Sequence, residues 1–400
     1  MSPPKPTPIL FTHYGDEWFR GSEQLLSDLL ANLDRTRFEP ILWCNGSAMA
    51  EAARALGIPT YRTRFEFYFD YDSPRFNLSH YRSLVREGIA LVRQHDIQVL
   101  HASSAAPNQW LLPVARATKR PLLAHLHIDY RARSRYVCLL HQATLIVGVS
   151  RQVTQDFLHD GMPAVRTHTI YNGIDFARLR GRGDANPRCE LGISPEALVI
   201  ATVGSLIRRK GQDVLIRAFA IAASGRDIHL LVAGEGPDRA AYEALADELG
   251  LRGRVHFLGY RGDTQALYRA ADIIALASRA DAFGLVLAEA GHFSLPAVAT
   301  TVGGIPEVVE DKVTGLLVPP DDPVSFAQAL VRLIDDPAQR LVLGAAAKER
   351  VERLFSVRQM VTNFHDAYAR LAQLPSRGLG WLGAGLSIAP YANAIARRCA

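Results

Sequence analysis

Two carboxylates in the stretch 278–304 could bind a hydroxylated ligand, because Asp281 and Glu289 stand with seven residues between them. Acidic side chains repel phosphate, but their oxygens accept hydrogen bonds from sugar hydroxyls. Between them a helix opens whose first amides lack internal partners and carry partial positive charge, which suits a diphosphate. The four residues at this opening are Phe283, Gly284, Leu285 and Val286. The alternative is structural, with Asp281 as a helix cap and Glu289 as a solvated helix residue.

Basic residues form the second candidate group, in the segment GSLIRRKG at 204–211. This segment follows LVIATV (198–203), an apolar run of strand length. Cations on a loop at the carboxyl end of a strand are placed to neutralise a leaving diphosphate. Lys210 is the first candidate, and Arg208 is preferred over Arg209 as its partner. A solvated loop is the alternative for each of these cations taken alone.

The elements that must position these residues alternate between apolar runs and amphipathic segments. Runs such as ILFTHYG (9–15) and IIALAS (273–278) predict strands, each followed by a helical pattern. This alternation predicts an α/β fold with parallel sheets. A chain of 400 residues, 48% of them hydrophobic, can bury two cores.

A domain boundary is predicted in RLRGRGDANPRCELGISPEAL (178–198), whose charge, glycine and proline content is typical of a linker. The first domain then comprises residues 1–182 and the second comprises residues 183–374. Residues 375–400 form a tail.

The motif SRADAFGLVLAEAG (278–291), followed by LPAVATTVGGIPEVVEDKVTGLLVPPDD (295–322), resembles the signature of the retaining glycosyltransferases of family 4. The resemblance implies the GT-B fold, in which two Rossmann-like domains face each other across a cleft. The last helix of that fold, here within 355–371, crosses back to the first domain. The resemblance also implies that Glu289 holds the ribose hydroxyls of a sugar nucleotide. Asp281 replaces the family's first glutamate and is implied to touch the transferred sugar.

Other residues are assigned by the same resemblance. His127, at the end of the strand PLLAHLHID, is implied to approach the donor sugar and the reaction centre, with His125 as its rival on the same strand face. Lys210 corresponds to the family's lysine. Ser205 occupies the place of its usual arginine, so Arg208 is expected to reach in instead. The remaining donor-binding residues implied by the family are Gly21, Arg209, Gly234, Gly236 and Leu258.

The function implied is transfer of a sugar from a nucleotide-diphosphate sugar to a hydroxyl acceptor, with retention of anomeric configuration. A glycan, a lipid-linked saccharide and a small molecule all remain open as acceptors. Because Lys210 and an arginine stabilise the leaving phosphate, neither a metal nor a cofactor is expected. Two alternatives stay open. One is a sugar-nucleotide epimerase of the same fold, and the other is a catalytically silent GT-B binding partner, favoured by the departures at Asp281 and Ser205.

The formal net charge of +5 is spread along the chain. It favours acidic small molecules or an anionic membrane surface over specific nucleic-acid binding. The four cysteines are scattered, as expected of a reduced chain, and the amino terminus lacks a signal-peptide pattern. A cytoplasmic location is expected, with peripheral contact at the inner face of the membrane as the alternative.

Two segments could reach a membrane or a partner. Residues 61–81 hold eight aromatic side chains mixed with arginines, which suits sugar stacking, lipid headgroups or a partner surface. A half-buried strand and loop is the alternative there. The nineteen uncharged residues 378–396 are long enough for a span, but their glycines and Pro390 disfavour a helix. A disordered or surface-packed tail is expected over a membrane-touching one.

Overall fold

The computed structural model describes residues 5–15, 17, 21–68, 77–181 and 186–374. Residues 69–76 of the aromatic stretch and the tail 375–400 lie outside the described residues. The chain divides into two compact units. Unit 1 comprises residues 1–173 and 357–400, and unit 2 comprises residues 174–356.

Within the described residues, unit 1 contains a sheet of seven parallel strands. They are β1 (Thr7–His13), β2 (Phe38–Cys44), β3 (Thr60–Arg62), β4 (Val99–Ser103), β5 (Leu122–Leu126), β6 (Leu145–Gly148) and β7 (Thr167–Thr169). Their order in the sheet is β3-β2-β1-β4-β5-β6-β7. Every residue of β4 and β5 is buried, as is typical of parallel strands covered on both faces. The carboxyl ends of all seven strands therefore meet at one edge.

Helices connect these strands in unit 1. They are α1 (Gly21–Ala31), α2 (Ser47–Ala55), α3 (Leu78–Gln94), α4 (Asn108–Thr118), α5 (Ala132–Val137) and α6 (Arg151–His159), with 3-10 turns at Leu140–Gln142 and Ala164–Arg166. Asn77 and Ser150 cap α3 and α6, because their side chains accept hydrogen bonds from first-turn amides.

The described part of unit 2 contains six parallel strands in the order β10-β9-β8-β11-β12-β13. They are β8 (Leu198–Val203), β9 (Ile228–Ala233), β10 (Val255–Gly259), β11 (Ile273–Leu276), β12 (Ala297–Thr300) and β13 (Gly315–Val318). The central pair of this sheet is β8 and β11. The loops after these two strands carry the basic and acidic candidate residues.

The helices of unit 2 are α7 (Phe176–Leu179), α8 (Pro187–Glu190), α9 (Gln212–Ala222), α10 (Arg239–Glu248), α11 (Thr264–Ala270), α12 (Leu285–His292), α13 (Ile305–Val308), α14 (Pro323–Asp335) and α15 (Pro337–Leu354), with a 3-10 turn at Arg208–Lys210. Both α14 and α15 begin with an Asp-Pro pair. Asp322 and Asp336 accept hydrogen bonds from first-turn amides, and the following proline needs no hydrogen-bond acceptor there.

The last described helix, α16 (Val357–Ala372), returns to unit 1. Phe364 and Tyr368 are fully buried in the core of that unit, and the Tyr368 ring packs on Phe11 at a centroid distance of 5.9 Å. Each such side chain contributes about 1.5–3 kcal/mol through its burial. The predicted return of the last helix to the first domain is therefore confirmed.

The chain enters and leaves unit 2 at adjacent points. Ile174 N donates a hydrogen bond to Phe355 O at 2.8 Å. Directly after Ile174, the Phe176 ring of α7 stacks on His292 of α12 at 4.5 Å. Unit 2 therefore starts at residue 174, eight residues before the end of the first domain placed at 182 from linker composition.

No helix in the described part of the chain combines the length and the apolar character that crossing a membrane requires.

Candidate functional site

The loops after β8 and β9 lie against each other at the carboxyl edge of the second sheet. Leu206 N donates to Glu235 O at 2.9 Å. A Cβ on Gly234 would lie 1.9 Å from Gly204 O, and a Cβ on Gly236 would lie 2.2 Å from Leu206 O. Both candidate glycines are therefore needed for the contact between the two loops.

Lys210 and Asp281 form an ion pair at the same edge. Lys210 ends the 3-10 turn after β8, Asp281 follows the neighbouring strand β11, and Lys210 Nζ lies 2.5 Å from Asp281 Oδ2. The two side chains are only 17% and 12% exposed. Burial acts to raise the pKa of Asp281, but Lys210 and two backbone amides outweigh it and hold this pKa below its ordinary value. The structure thus joins two of the predicted residues, with the carboxylate ionised.

The same carboxylate caps the turn that leads into α12. Asp281 Oδ1 accepts hydrogen bonds from Phe283 N at 3.3 Å and from Gly284 N at 3.0 Å. Asp281 therefore closes the turn before α12 and does not cap the helix itself, whose N-cap is Gly284 without a side-chain hydrogen bond. Gly284 has a φ of 86°, a backbone conformation that favours glycine.

The four predicted amides at this helix opening differ in their hydrogen bonding. Leu285 N and Val286 N have no acceptor among the described residues, whereas the amides of Phe283 and Gly284 bond to Asp281. The Phe283 side chain is buried in the core of unit 2. Two amides at the positive end of α12 are therefore open to an anion.

Glu289 lies on α12, one turn after Leu285. It is half-buried, and its Oε2 accepts a hydrogen bond from Tyr268 Oη at 2.8 Å. Burial, followed by the nearby Glu289 charge, raises the pKa of Tyr268 well above its ordinary value, so Tyr268 remains a donor. Glu289 is thus held in place and is not a freely solvated helix residue.

The neighbouring arginines have different environments. Arg209 Nη1 donates to Ala280 O at 2.9 Å, so this side chain supports the loop that carries Asp281. The Arg208 side chain is exposed and has no hydrogen bond or ion pair with the described residues. Ser205 is exposed at the start of the same loop. Of the two arginines, Arg208 therefore has the guanidinium that is free for a ligand.

The backbone of Asp281 is fixed by the loop after β12. Gly304 N donates to Asp281 O at 3.0 Å. A Cβ on Gly303 would lie 1.8 Å from the same oxygen, and Gly303 has a φ of 56°. The VGG segment of the motif therefore positions Asp281.

Leu258 lies in β10, at an irregularity in its pairing with β9. Gly259 O, the next carbonyl, accepts a hydrogen bond from Gly234 N at 2.8 Å. The segment of the predicted donor-binding residue Leu258 thus packs directly against the glycine loop after β9.

In unit 1, His127 directly follows β5 at the carboxyl edge of the first sheet. It is half-buried, its Nε2 lies 3.4 Å from Ser103 Oγ, and its buried Nδ1 has no partner in the described structure. Its rival His125 lies inside β5, 4% exposed, with its ring 4.9 Å from Phe364 of the core. Of the two histidines, His127 is the one placed at the edge.

A chain of hydrogen bonds runs from His127 to Glu23. Ser103 Oγ lies 3.4 Å from His13 Nδ1, and His13 Nε2 lies 3.0 Å from Glu23 Oε1. Burial acts to raise the pKa of Glu23, but its hydrogen bond to His13 and the charge interaction outweigh this effect, and the pKa falls to about 2. Gly21 opens α1, the helix that carries Glu23.

The histidine at the edge is held neutral. Burial, followed by the proximity of His13, lowers the pKa of His127 to about 4. A neutral imidazole can donate one hydrogen bond and accept another, which suits a sugar hydroxyl. Within the described residues, no three His, Cys, Asp or Glu side chains are grouped so that they could hold a metal ion.

Comparisons with known proteins show which family this chain belongs to. Residues 186–350 match the family described as "Glycosyl transferases group 1", and residues 19–178 match "Glycosyltransferase Family 4". A D-inositol 3-phosphate glycosyltransferase of Corynebacterium glutamicum (strain R) is 34% identical over 288 residues, which cover 65% of this chain and 68% of the relative. The chain belongs to the group 1 glycosyltransferases.

A second relative is similar over a shorter stretch, and a solved structure has the same fold. A D-inositol 3-phosphate glycosyltransferase of Saccharomonospora viridis is 39% identical over 235 residues, 55% of this chain and 53% of the relative. The matches thus span between about half and two thirds of these relatives. The crystal structure of Anabaena Alr3699/HepE in complex with UDP and glucose aligns with a TM-score of 0.78 and 23% identity, over 91% of this chain and 100% of that chain. The predicted GT-B fold is confirmed.

Several residues that shape these sites were missed by sequence reasoning. His13 and Ser103 end β1 and β4, and polar residues at strand ends were the available signal. Arg279, which stands two residues before Asp281, was also missed. Its guanidinium pairs with Asp213 at 2.7 Å and donates to Arg208 O at 2.7 Å, which ties the basic turn to the acidic loop.

Proposed function

We propose that this group 1 glycosyltransferase moves a sugar from a nucleotide-diphosphate sugar to a hydroxyl acceptor, with retention of anomeric configuration. Unit 2 binds the donor and unit 1 binds the acceptor. The observation that carries the proposal is the Lys210–Asp281 ion pair, which lies beside the open amides at the start of α12. Glu289 follows one turn later on the same helix.

The charges around α12 fit a diphosphate between two hydroxylated rings. Lys210 and Arg208 supply positive charge, and the amides of Leu285 and Val286 supply the positive end of a helix dipole. Glu289 carries an ordered carboxylate oxygen, which suits the hydroxyls of a ribose.

Donor binding would change the partner of Lys210. A diphosphate carries more negative charge than one carboxylate, so it competes with Asp281 for the ammonium group. Once Lys210 turns to the diphosphate, Asp281 Oδ2 is released to accept a hydrogen bond from the transferred sugar. The ion pair thus keeps both side chains ordered until the donor arrives.

The chemical step breaks the bond between the anomeric carbon and the diphosphate oxygen. A new bond to the acceptor oxygen forms on the same face of the sugar, and the acceptor proton passes to the leaving phosphate oxygen. Lys210 and Arg208 stabilise the charge that develops on the diphosphate. His127, neutral because its pKa is near 4, orients a hydroxyl instead of removing its proton. We propose that this step needs no metal ion and no cofactor.

The test begins with a thermal-shift panel of UDP-, GDP- and ADP-sugars, because a ligand that binds only the native state raises the melting temperature. The stabilising donor is then incubated with D-inositol 3-phosphate, the compound in the relatives' names, and with neutral and lipid-linked saccharides. Proton NMR of the product reports the anomeric configuration. Retention supports the proposal, while an inverted product, or donor epimerised with no acceptor added, would overturn it.

A further inference from the structure

An open pocket of about 680 Å³ lies in unit 1, outside the site described above. Its lining residues are Glu17, Asn45, Arg54, Arg62, Thr63, Arg64 and Phe65. We propose that this arginine pocket binds a phosphate or carboxylate group of the acceptor, away from the hydroxyl that receives the sugar. The inference rests on the proposed function, because it names the chemical class of the acceptor.

The pocket carries a net positive charge. Its lining contains three arginines and one glutamate, for a net charge of +2. Glu17 Oε2 accepts hydrogen bonds from the backbone amide of Ser47, at 3.0 Å, and from its hydroxyl. These hydrogen bonds hold the pKa of Glu17 below its ordinary value, so the carboxylate is ionised and engaged by the start of α2.

Two of the three arginines of the pocket have no carboxylate partner in the described structure, and the third makes one long, exposed contact. Neither Arg54 nor Arg62 makes a hydrogen bond or ion pair within the part of the chain that the structure describes. Arg64 Nη2 lies 3.8 Å from Glu66, with its side chain 79% exposed. By contrast, the buried Arg135 of the same unit is paired with two aspartates. Free guanidinium groups grouped in this way present planar forks that match phosphate and carboxylate.

The walls and floor of the pocket are held in place by the fold. Asn45 Nδ2 donates to Gly15 O at 2.7 Å, and Gly15 N donates back to Asn45 Oδ1 at 3.0 Å. Phe65 is 6% exposed and packs on the rings of Trp43 and Trp110 at 5.0 and 4.8 Å. A preformed pocket lowers the entropy that a ligand loses on binding. This part of the aromatic and arginine-rich segment is thus a pocket wall.

The position of the pocket sets a minimum length for the acceptor. Arg62 ends β3 and His127 follows β5, four strands away in the order β3-β2-β1-β4-β5. Neighbouring strands lie about 4.8 Å apart, so the two strand ends are roughly 19 Å apart. The anionic group and the accepting hydroxyl therefore belong to an acceptor longer than one sugar unit.

Binding is tested with matched pairs of probes titrated into the full chain by calorimetry. Cellobiuronic acid and cellobiose phosphate are the anionic probes. Each is compared with neutral cellobiose. The anionic member of each pair is expected to bind at least about tenfold more tightly, since charge-assisted hydrogen bonds are lost in the neutral one. In an Arg54→Gln/Arg62→Gln variant this affinity should fall about 10- to 100-fold. Arg93→Gln, on the exposed face of α3 in the same unit, is the control and should change nothing.

The same titrations in a Lys210→Ala background remove binding at the donor site from the signal. Binding of nucleoside diphosphate to the wild-type chain reports separately on the proposed function. Anion binding that is equal in wild type and the double variant would overturn the pocket assignment while leaving the proposed function intact. A double variant that loses only its affinity for vesicles containing phosphatidylglycerol would also overturn it, because the arginines would then serve a membrane surface.

Acceptor length is tested by transfer assays. An anionic disaccharide or longer acceptor should give a higher kcat/KM than a monosaccharide phosphate, and the double variant should lose this preference through KM. Equal preference in wild type and variant would contradict the assignment.

Discussion

Lys210 Nζ and Asp281 Oδ2 lie 2.5 Å apart, in a contact that the proposed diphosphate of the donor would share or break. Replacing Lys210 by alanine removes the cation and leaves Asp281 without its counter-charge. We expect kcat/KM for the donor to fall about 30-fold to a thousandfold, or about 2–4 kcal/mol of transition-state stabilisation. Initial rates of nucleoside-diphosphate release measure the effect.

The matched control for this variant is Lys348→Ala, at an exposed position on α15. It should keep wild-type turnover. Near-normal turnover in Lys210→Ala would show that this lysine does not serve the leaving group.

Gly303 packs against the backbone carbonyl of Asp281, and its replacement by alanine should displace Asp281. The added Cβ would lie 1.8 Å from Asp281 O, at a φ of 56° that alanine adopts reluctantly. We expect a loss of about 1–3 kcal/mol in unfolding free energy, together with weaker donor binding. Gly262→Ala is the control, because its Cβ would meet no atom within 4 Å. Identical melting temperatures and donor affinities in the two variants would refute this packing argument.

Unit 1 should lose stability as the pH falls from 7 towards 4. Burial lowers the pKa of His101 to about 3, that of His127 to about 4, and that of His125 well below its ordinary value. The unfolded chain binds protons at these residues near pH 6.5, whereas folded unit 1 does not. The unfolding free energy therefore rises with pH across this window and levels off above about pH 7, at a slope of at most about 1.4 kcal/mol per pH unit for each histidine.

Tryptophan fluorescence during urea denaturation can isolate this effect. Trp43 and Trp110 are buried in unit 1, and residues 174–356 contain no tryptophan. Glu23, with a pKa of about 2, affects the slope only below about pH 4.5. His101→Gln should reduce the slope, and a wild-type curve that is flat between pH 7 and 5 would contradict the neutral state of these histidines.

Transfer should survive removal of divalent metal ions. In the proposed mechanism, Lys210, Arg208 and the amides of α12 supply the positive charge that a metal supplies in other phosphate sites. Rates measured after dialysis against EDTA, with and without added Mg²⁺, should agree within about twofold. A rate that disappears with EDTA and returns with Mg²⁺ would require a metal ion in the mechanism.

The sequence allowed the fold to be predicted because the signals for parallel strands are local. Apolar runs such as 198–203 and 273–278 mark buried strands, and polar residues at their carboxyl ends mark one edge. Lys210 and Asp281 could be singled out on these grounds and on the motif. The direct contact between Lys210 and Asp281 could not be predicted, because the two residues are 71 positions apart. The contact depends on β8 and β11 being neighbours in the sheet.

Two further features could not be predicted from the sequence, because they depend on contacts between distant segments. The link from Glu23 through His13 and Ser103 to His127 joins three strand ends and a helix, and no local pattern signals it. Linker composition placed the boundary after residue 182, whereas the hydrogen bond from Ile174 to the far end of unit 2 sets where that unit begins.

Calorimetric titration of UDP, GDP and ADP into the chain tests the central claim most directly. One of these nucleotides should bind with one-to-one stoichiometry, and Glu289→Gln, which keeps the Tyr268 contact but removes the charge, should weaken it about 10- to 100-fold. The 2′-deoxy nucleotide should lose affinity in wild type and much less in Glu289→Gln. If none of the three binds, or if Lys210→Ala and Glu289→Gln bind as wild type does, then α12 is not the donor site.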